Sequence, residues 1–218
     1  MMKRNLVWGI AVIFIMAIPS SVFANLLTNP GFDVSSDLTG WNPWTSPDSG
    51  FEITSSQFQS SPYSLKEWAW SGGTPVQGSV GIWQDFAAAE NFTYYISAYL
   101  KSLTGSEPLR DGAFGYLKLE WRDSVDGLIG DPLQIELYGP NDMWELFELD
   151  DTAPAGVANG RVILGLWSPA LSEDGRAVYF DDVWADTEPI PEPASLLMLG
   201  FGLFGLGIFT KKYRMGRG

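Results

Sequence analysis

The sequence predicts an all-β protein, a jelly-roll β-sandwich, on three observations. Five segments alternate apolar and polar residues with period two: Val80–Phe86, Thr93–Lys101, Phe114–Arg122, Arg161–Trp167 and Ala177–Trp184. They are rich in Tyr, Trp, Val and Ile, which suit a pleated, half-buried surface. Between them lie turn-forming clusters: Ser71-Gly72-Gly73-Thr74-Pro75, Asp126-Gly127, Gly139-Pro140-Asn141-Asp142 and Ser172-Glu173-Asp174-Gly175. Helical periodicity is confined to the two termini. Many short strands joined by such turns bury their apolar faces best as two packed sheets.

The chain divides into three parts. Residues 1–24 read as a secretory signal peptide with an apolar helix. Lys3 and Arg4 form its basic start, and Leu6–Ile18 is its apolar centre. Pro19-Ser20-Ser21 breaks that stretch, and Val22-Phe23-Ala24 places small residues for a cut between Ala24 and Asn25. The apolar centre falls short of the roughly 20 residues that span a bilayer. Residues 25–188 hold the sandwich, long enough for one core of ordinary size. Residues 189–218 are a linker and tail. Leu196–Phe209 is wholly apolar and carries Gly200, Gly202, Gly205 and Gly207, and Lys211, Lys212, Arg214 and Arg217 follow at once. Residues 194–210 are therefore expected to form a short transmembrane helix with its basic end in the cytoplasm. The glycines permit close helix–helix approach.

Composition removes several function classes. The chain has no Cys and no His, so the usual zinc, haem and iron–sulfur sites, thiol nucleophiles, disulfides and Ser-His-Asp triads are excluded. All 26 acidic residues lie between Asn25 and Glu192, with only seven basic ones among them (Lys66, Lys101, Arg110, Lys118, Arg122, Arg161 and Arg176). That balance repels phosphate, and no nucleic-acid partner is expected. Neither a Gly-x-x-x-x-Gly-Lys phosphate loop nor a dinucleotide fingerprint occurs. Pairs such as Asp123/Asp126 and Glu145/Glu148 could in principle serve a glycosidase, but most of the acids read as a solvated surface, and no enzyme is expected.

Pro191-Glu192-Pro193, then the Gly-rich apolar segment, then the basic cluster make a tail that resembles the PEP-CTERM sorting signal of Gram-negative bacteria. The resemblance implies recognition by an exosortase in the inner membrane and processing near Pro191, Glu192 and Pro193. It further implies transient anchoring, then delivery to the cell surface or to the extracellular polysaccharide matrix of a biofilm.

The middle part carries a second resemblance. Asn29-Pro30-Gly31-Phe32-Asp33 with Gly40-Trp41, Ser61–Lys66, Trp83-Gln84-Asp85-Phe86, Tyr94–Ser102, Trp144–Phe147 with Ala153-Pro154-Ala155-Gly156, and Tyr179-Phe180-Asp181-Asp182-Val183 follow one another in order. Together they resemble galactose-binding-like carbohydrate-binding modules of families 4, 9 and 22. The resemblance implies a jelly roll whose first and last strands meet. It also implies a structural calcium at that meeting, held by Asp33 and Asp181 with backbone carbonyls, a donor set that suits this oxygen-seeking cation. Asp33 stands where the family has the longer Glu, and Asp182 is the lesser candidate.

Alternation indicates which side chains point away from the core. Tyr95, Ser97 and Tyr99 oppose the apolar row of Thr93–Lys101, while Tyr116, Lys118, Glu120 and Arg122 oppose Leu117, Leu119 and Trp121. Trp167 and Trp83 likewise point outward, which leaves Gln84 on the core face. A sheet face bearing Trp83, Tyr95, Tyr99, Tyr116 and Trp167, with Glu120, Arg122 and Lys118 to bond hydroxyls, is suited to stacking on sugar rings. The same aromatics also serve as packing residues. Trp68 and Trp70 fall opposite Leu65; either a bulge re-aims them or they sit on a loop, and Trp44 is another loop candidate. The expected function is non-catalytic binding of extracellular polysaccharide by an exported protein. A structural or adhesive matrix protein without a sugar site is the alternative, and a glycoside hydrolase or lyase is a third class.

Overall fold

A computed structural model describes residues 25–33, 37–60, 62–70, 78–169 and 175–187. The expected signal helix, the cut after Ala24, the Pro191-Glu192-Pro193 triplet and the apolar segment 194–210 lie outside these residues. Among the described residues, no helix is long and apolar enough to cross a membrane.

The strands are β1 (Asn42–Thr45), β2 (Ser49–Thr54), β3 (Ser64–Ala69), β4 (Gly78–Ala87), β5 (Thr93–Lys101), β6 (Phe114–Arg122), β7 (Leu128–Tyr138), β8 (Glu145–Thr152), β9 (Asn159–Ser168) and β10 (Arg176–Asp186). They form two five-stranded antiparallel sheets. Sheet I has the order β1-β4-β9-β6-β7 and sheet II the order β2-β3-β10-β5-β8. Only β2–β3 and β6–β7 are neighbours both in sequence and in a sheet; every other connection crosses between sheets, as the expected jelly-roll sandwich requires.

The five alternating segments are β4, β5, β6, β9 and β10, with ends moved by at most two residues. The strands that lacked that signal are of two kinds. Four of them, β1, β2, β7 and β8, are sheet edges, where exposure of both faces weakens the alternation. β7 additionally carries Gly130 at φ +70° and Pro132, both tolerated at an edge. The fifth, β3, is internal, and its pattern is broken by Glu67, a charged residue type on the core face.

The core is made by the facing rows of the two sheets. Val80, Ile82, Leu117, Val162, Leu164 and Leu166 from sheet I meet Leu65, Ala98, Leu100, Val178 and Phe180 from sheet II, all fully buried. One end is closed by aromatics: Phe86 and Trp121 pack on Tyr94 with ring centroids 5.3 and 5.5 Å away. The polar tips at that end are satisfied, since Trp121 Nε1 donates to Asp151 (2.7 Å) and Ala89 N donates to Tyr94 Oη (2.9 Å).

Gln84, placed on the core face by the alternation, holds the N-terminal segment. Thr28 N donates to Gln84 Oε1 (2.5 Å), and Gln84 Nε2 donates back to Thr28 O (2.9 Å). The same segment runs beside the second half of β10. Leu26 N bonds Ala185 O, Val183 N bonds Pro30 O, and the Asn25 side chain both donates to Val183 O and accepts from Ala185 N. The first and last parts of the sandwich therefore do meet, tied to sheet I by one buried amide.

Glu67 is fully buried, and neither of its carboxylate oxygens has a hydrogen-bond partner. Burial pushes its pKa well above the ordinary carboxylate value, offset in part by the backbone of Leu166. A carboxyl whose folded pKa is raised favours the native state fully only below its unfolded value, and that contribution is lost as pH rises toward the folded value. Glu67→Gln is therefore expected to raise stability at pH 7 and to flatten the decline between mildly acidic and neutral pH. Urea unfolding across that range checks it; equal stabilities of the two proteins at neutral pH would contradict it.

Candidate functional site

The outward side of sheet I collects most of the residues that alternation marked. Pairing aligns them in rows across the strands. One row is Ser79, Trp167, Phe114 and Tyr138; the next is Trp44, Gly81, Gly165 and Tyr116. A third holds Trp83, Ile163, Lys118 and Gln134, and a fourth Asp85, Arg161 and Glu120.

The row with two adjacent glycines explains how so many rings fit. A Cβ on Gly81 would strike the Trp44 indole, and one on Gly165 would strike the Tyr116 ring. Each ring therefore lies down over a glycine of the neighbouring strand. Tyr116 is only 7% exposed, so it forms floor rather than a free platform. Burial, with Glu67 and Glu120 adding to it, pushes its phenol far above the usual value, and it stays neutral. Beside this floor stands a continuous aromatic row. Phe114 stacks on Trp167 with centroids 5.3 Å apart and an interplanar angle of 28°, and it meets Tyr138 at 5.2 Å. Tyr138 is 61% exposed, so the row opens to solvent at the β7 edge.

The charged groups on this face neutralise one another. Arg161 donates to both oxygens of Asp85 (2.7 and 3.0 Å) and to Asp126 (2.8 Å), and its guanidinium lies 3.7 Å from the Trp83 ring centroid. Its pKa is raised above the usual value, chiefly by the Asp85 bond. Arg122 and Lys118 both pair with Glu120, and Lys118 Nζ sits 5.1 Å from the Tyr116 centroid. Glu136 accepts from Tyr138 Oη and Gln134 Nε2.

Of the residues expected to share one face, Trp83, Tyr116, Glu120, Arg122 and Trp167 do so. Tyr95 and Tyr99 do not. They project from β5, which belongs to sheet II, and lie on the opposite side of the sandwich. Alternation tells which residues of a strand point outward, but not which sheet the strand joins. Phe114 and Tyr138 also belong to this face; the sequence signal for Phe114 is its phase with Tyr116, and Tyr138 lies on an edge strand without clear alternation. Trp44 belongs to strand β1, not to a loop. Trp68 keeps the regular alternation of β3 and lies over Gly50, while Trp70 follows the strand end and is 58% exposed.

The acidic residues near the seam of first and last segments are arranged unequally. β10 carries a bulge between Asp181 and Trp184, with Asp182 at φ +47°. Asp181 is fully buried; its Oδ2 accepts from Gln59 N (2.7 Å) and Ser60 N (3.2 Å), and its Oδ1 accepts from Asp182 N (2.8 Å). Burial raises its pKa to about 6 against the pull of the Gln59 amide, and the neighbouring Asp182 pushes the same way as burial. Asp33 and Asp182 flank Gly31: a Cβ there would meet Asp33 Oδ2 at 2.7 Å and Asp182 Oδ1 at 3.5 Å. Asp33 is raised by burial and by Asp182, while the Tyr63 backbone opposes the shift. Ser60 Oγ donates to Asp182 Oδ1 (2.7 Å). Among the described residues, no three acidic side chains converge as a metal cluster.

Residues 189–212 match the PEP-CTERM protein-sorting motif. No curated protein matches the chain. The sandwich is similar to the enzymatically active domain of tailspike protein 4 of bacteriophage CBA120, with a TM-score of 0.56 and 10% identity over 74% of this chain; that match spans only 21% of the tailspike chain. It is similar to the module TmCBM61, solved with β-1,4-galactotriose, with a TM-score of 0.52 and 13% identity over 76% of this chain and 99% of that one. It is also similar to a family 16 carbohydrate-binding module, with a TM-score of 0.51 and 16% identity over 74% of this chain and 99% of that one. At these identities the likeness is one of fold.

The seating of Tyr116 gives a direct test of the floor. Gly165→Ala places a methyl where the ring lies, and it is expected to cost about 1–3 kcal/mol by overpacking. Urea unfolding checks it; a variant as stable as the parent would show that the ring does not rest on this glycine.

Proposed function

We propose that this chain is an exported, non-catalytic glycan-binding protein that its tail delivers to the cell surface or the surrounding matrix. Export begins with the signal peptide of residues 1–24 in this reading. An exosortase in the inner membrane then processes the tail near Pro191-Glu192-Pro193. The sorting motif at 189–212 supports the address. The single observation that carries the binding reading is the Trp167–Phe114–Tyr138 row beside a floor of Trp44 and Tyr116. Flat aromatic surface suits the C–H faces of sugar rings, and nearby polar groups suit their hydroxyls. The likeness to carbohydrate-binding modules of families 61 and 16 agrees in fold.

The charge pattern favours a neutral polymer. Arg161, Arg122 and Lys118 are all engaged by carboxylates, leaving no unpaired cation among the described residues of this face for an acidic polysaccharide. The same pairing supports the non-catalytic reading. Asp85, Glu120 and Glu136 are held by Arg161, Arg122 and Tyr138, so none offers the free acid and base that glycosyl transfer to water needs.

Trp167→Ala should remove retardation of the full chain, in mild detergent, on affinity gels containing neutral polysaccharide. The expected loss is at least tenfold in affinity, about 1.4 kcal/mol, with the unfolding midpoint nearly unchanged. Binding undiminished in that variant would contradict the placement of the site.

The expected pair Asp33 and Asp181 is revised here: both Asp181 oxygens already accept from backbone amides, so the seam is proposed to take a calcium ion between Asp33 and Asp182, with backbone carbonyls completing the shell and Asp181 holding the bulge in place. Crowding of like charges at Asp33 and Asp182 supports this reading. Calcium at a hundredfold excess over its dissociation constant should add about 2.7 kcal/mol, a shift of several degrees that chelator reverses and Asp182→Asn abolishes. A melting curve indifferent to both calcium and chelator would remove the ion from the account.

A further inference from the structure

Sheet II presents a different outward surface. Its register places Asp150, Tyr95 and Asp186 in one row across β8, β5 and β10, and Glu148, Ser97 and Trp184 in the next. Tyr95, Ser97, Glu148, Asp150 and Trp184 line a hollow of about 270 Å³ between these strands. In contrast to sheet I, the acids here are unpaired. Among the described residues, no cation pairs with Glu148 or Asp150, and no group donates a hydrogen bond to either. Among the described residues, Asp186 accepts only from Thr187. The wall also holds polar atoms without partners. Ser97 is 2% exposed and its Oγ bonds nothing, and Trp184 Nε1 is buried and likewise unbonded.

We infer that this hollow is a second ligand site, and that it takes a single ring of a polysaccharide bearing a protonated amine, a de-N-acetylated amino sugar. Each part of that description answers to a feature of the wall. Uncompensated carboxylates favour a cation. Aromatic rings beside them favour an organic cation with an apolar face, through stacking and cation–π attraction. Trp184 Nε1 is a donor only and needs an acceptor, and Ser97 Oγ accepts or donates. A sugar brings hydroxyl and ring oxygens to both. A lysine side chain brings three donors and no acceptor of its own, so it cannot serve the charge and the indole together as one amino-sugar ring can. A bare divalent cation has no use for the rings, and no cluster of three acids converges here among the described residues. The volume lies just below the usual range for drug-sized ligands and fits one ring. This site stands apart from the sheet I reading and does not depend on it.

The test uses the full chain in mild detergent, titrated calorimetrically in mildly acidic buffer with a glucosamine tetrasaccharide. Glu148 and Asp150 are exposed on an edge strand, so E148Q/D150N is expected to keep the fold. The tetrasaccharide should bind the parent chain, bind E148Q/D150N at least about tenfold more weakly, and lose affinity as salt rises. The fully N-acetylated tetrasaccharide should bind the parent at least tenfold more weakly than the amine form, and tetralysine should compete poorly. Retardation on neutral polysaccharide gels should be the same for E148Q/D150N and the parent, which separates this site from that of sheet I. Equal affinity of the amine form for parent and variant, no binding at all, indifference to N-acetylation, or tetralysine competing as well as the sugar would each overturn the inference.

Discussion

Strand β10 changes partners half-way along its length, and much of the molecule is arranged around that change. Its first half pairs with β3; its second half runs beside the N-terminal segment, with β5 on the other flank from Tyr179 onward. The bulge at Asp181 and Asp182 makes the change possible by letting the strand bend and twist. Such a bend leaves backbone amides without ladder partners. The buried Asp181 carboxylate takes the Asp182 amide at the bend, together with Gln59 N and Ser60 N from the connection between β2 and β3. Removing that carboxylate would leave donors buried and unpaired, which costs more than the bonds themselves contribute. The bulge also sets the register of β10 on β5 beyond it, and so determines that Trp184 lies beside Ser97.

The two outward faces share a construction but differ in electrostatics. On sheet I, aromatics are seated over glycines, and Asp85, Glu120 and Glu136 each have a base or a phenol close by. A neutral ligand can then be bound without leaving an unpaired charge behind. On sheet II, Lys66 is engaged by Glu52 and Glu107 near one edge, whereas Glu148 and Asp150 near the other are unmatched. The strongly acidic balance of the chain is therefore unevenly distributed over the fold. One consequence is selectivity by position: like charge on a ligand is tolerated differently at each face.

Much of this was legible in the sequence. Central strands were readable because one side of each is buried, and the burial writes itself as alternation. Gln84 was readable as an anomaly, a polar residue in an apolar row, though its partner Thr28 was not, because a contact between residues so far apart leaves no local trace. Edge strands were hidden for the converse reason. Alternation indicates the face of each side chain but not the sheet to which β5 belongs, so it groups Tyr95 and Tyr99 with residues across the sandwich. Gly81 and Gly165 carried no signal at all. Their role depends on rings contributed by β1 and β6, which only the assembled sheet brings beside them.

The claim on which the functional account rests is that a neutral glycan lies on the outer face of sheet I. Indole nitrogen NMR of the full chain in detergent, with tryptophans assigned by single Trp→Phe changes, reads it residue by residue. On titration with neutral oligosaccharides, β-1,4-galactotriose among them, the resonances of Trp167, Trp83 and Trp44 should shift while those of Trp68, Trp121 and Trp184 stay in place. Shifts confined to Trp68 or Trp184, or none with any neutral oligosaccharide, would contradict the account.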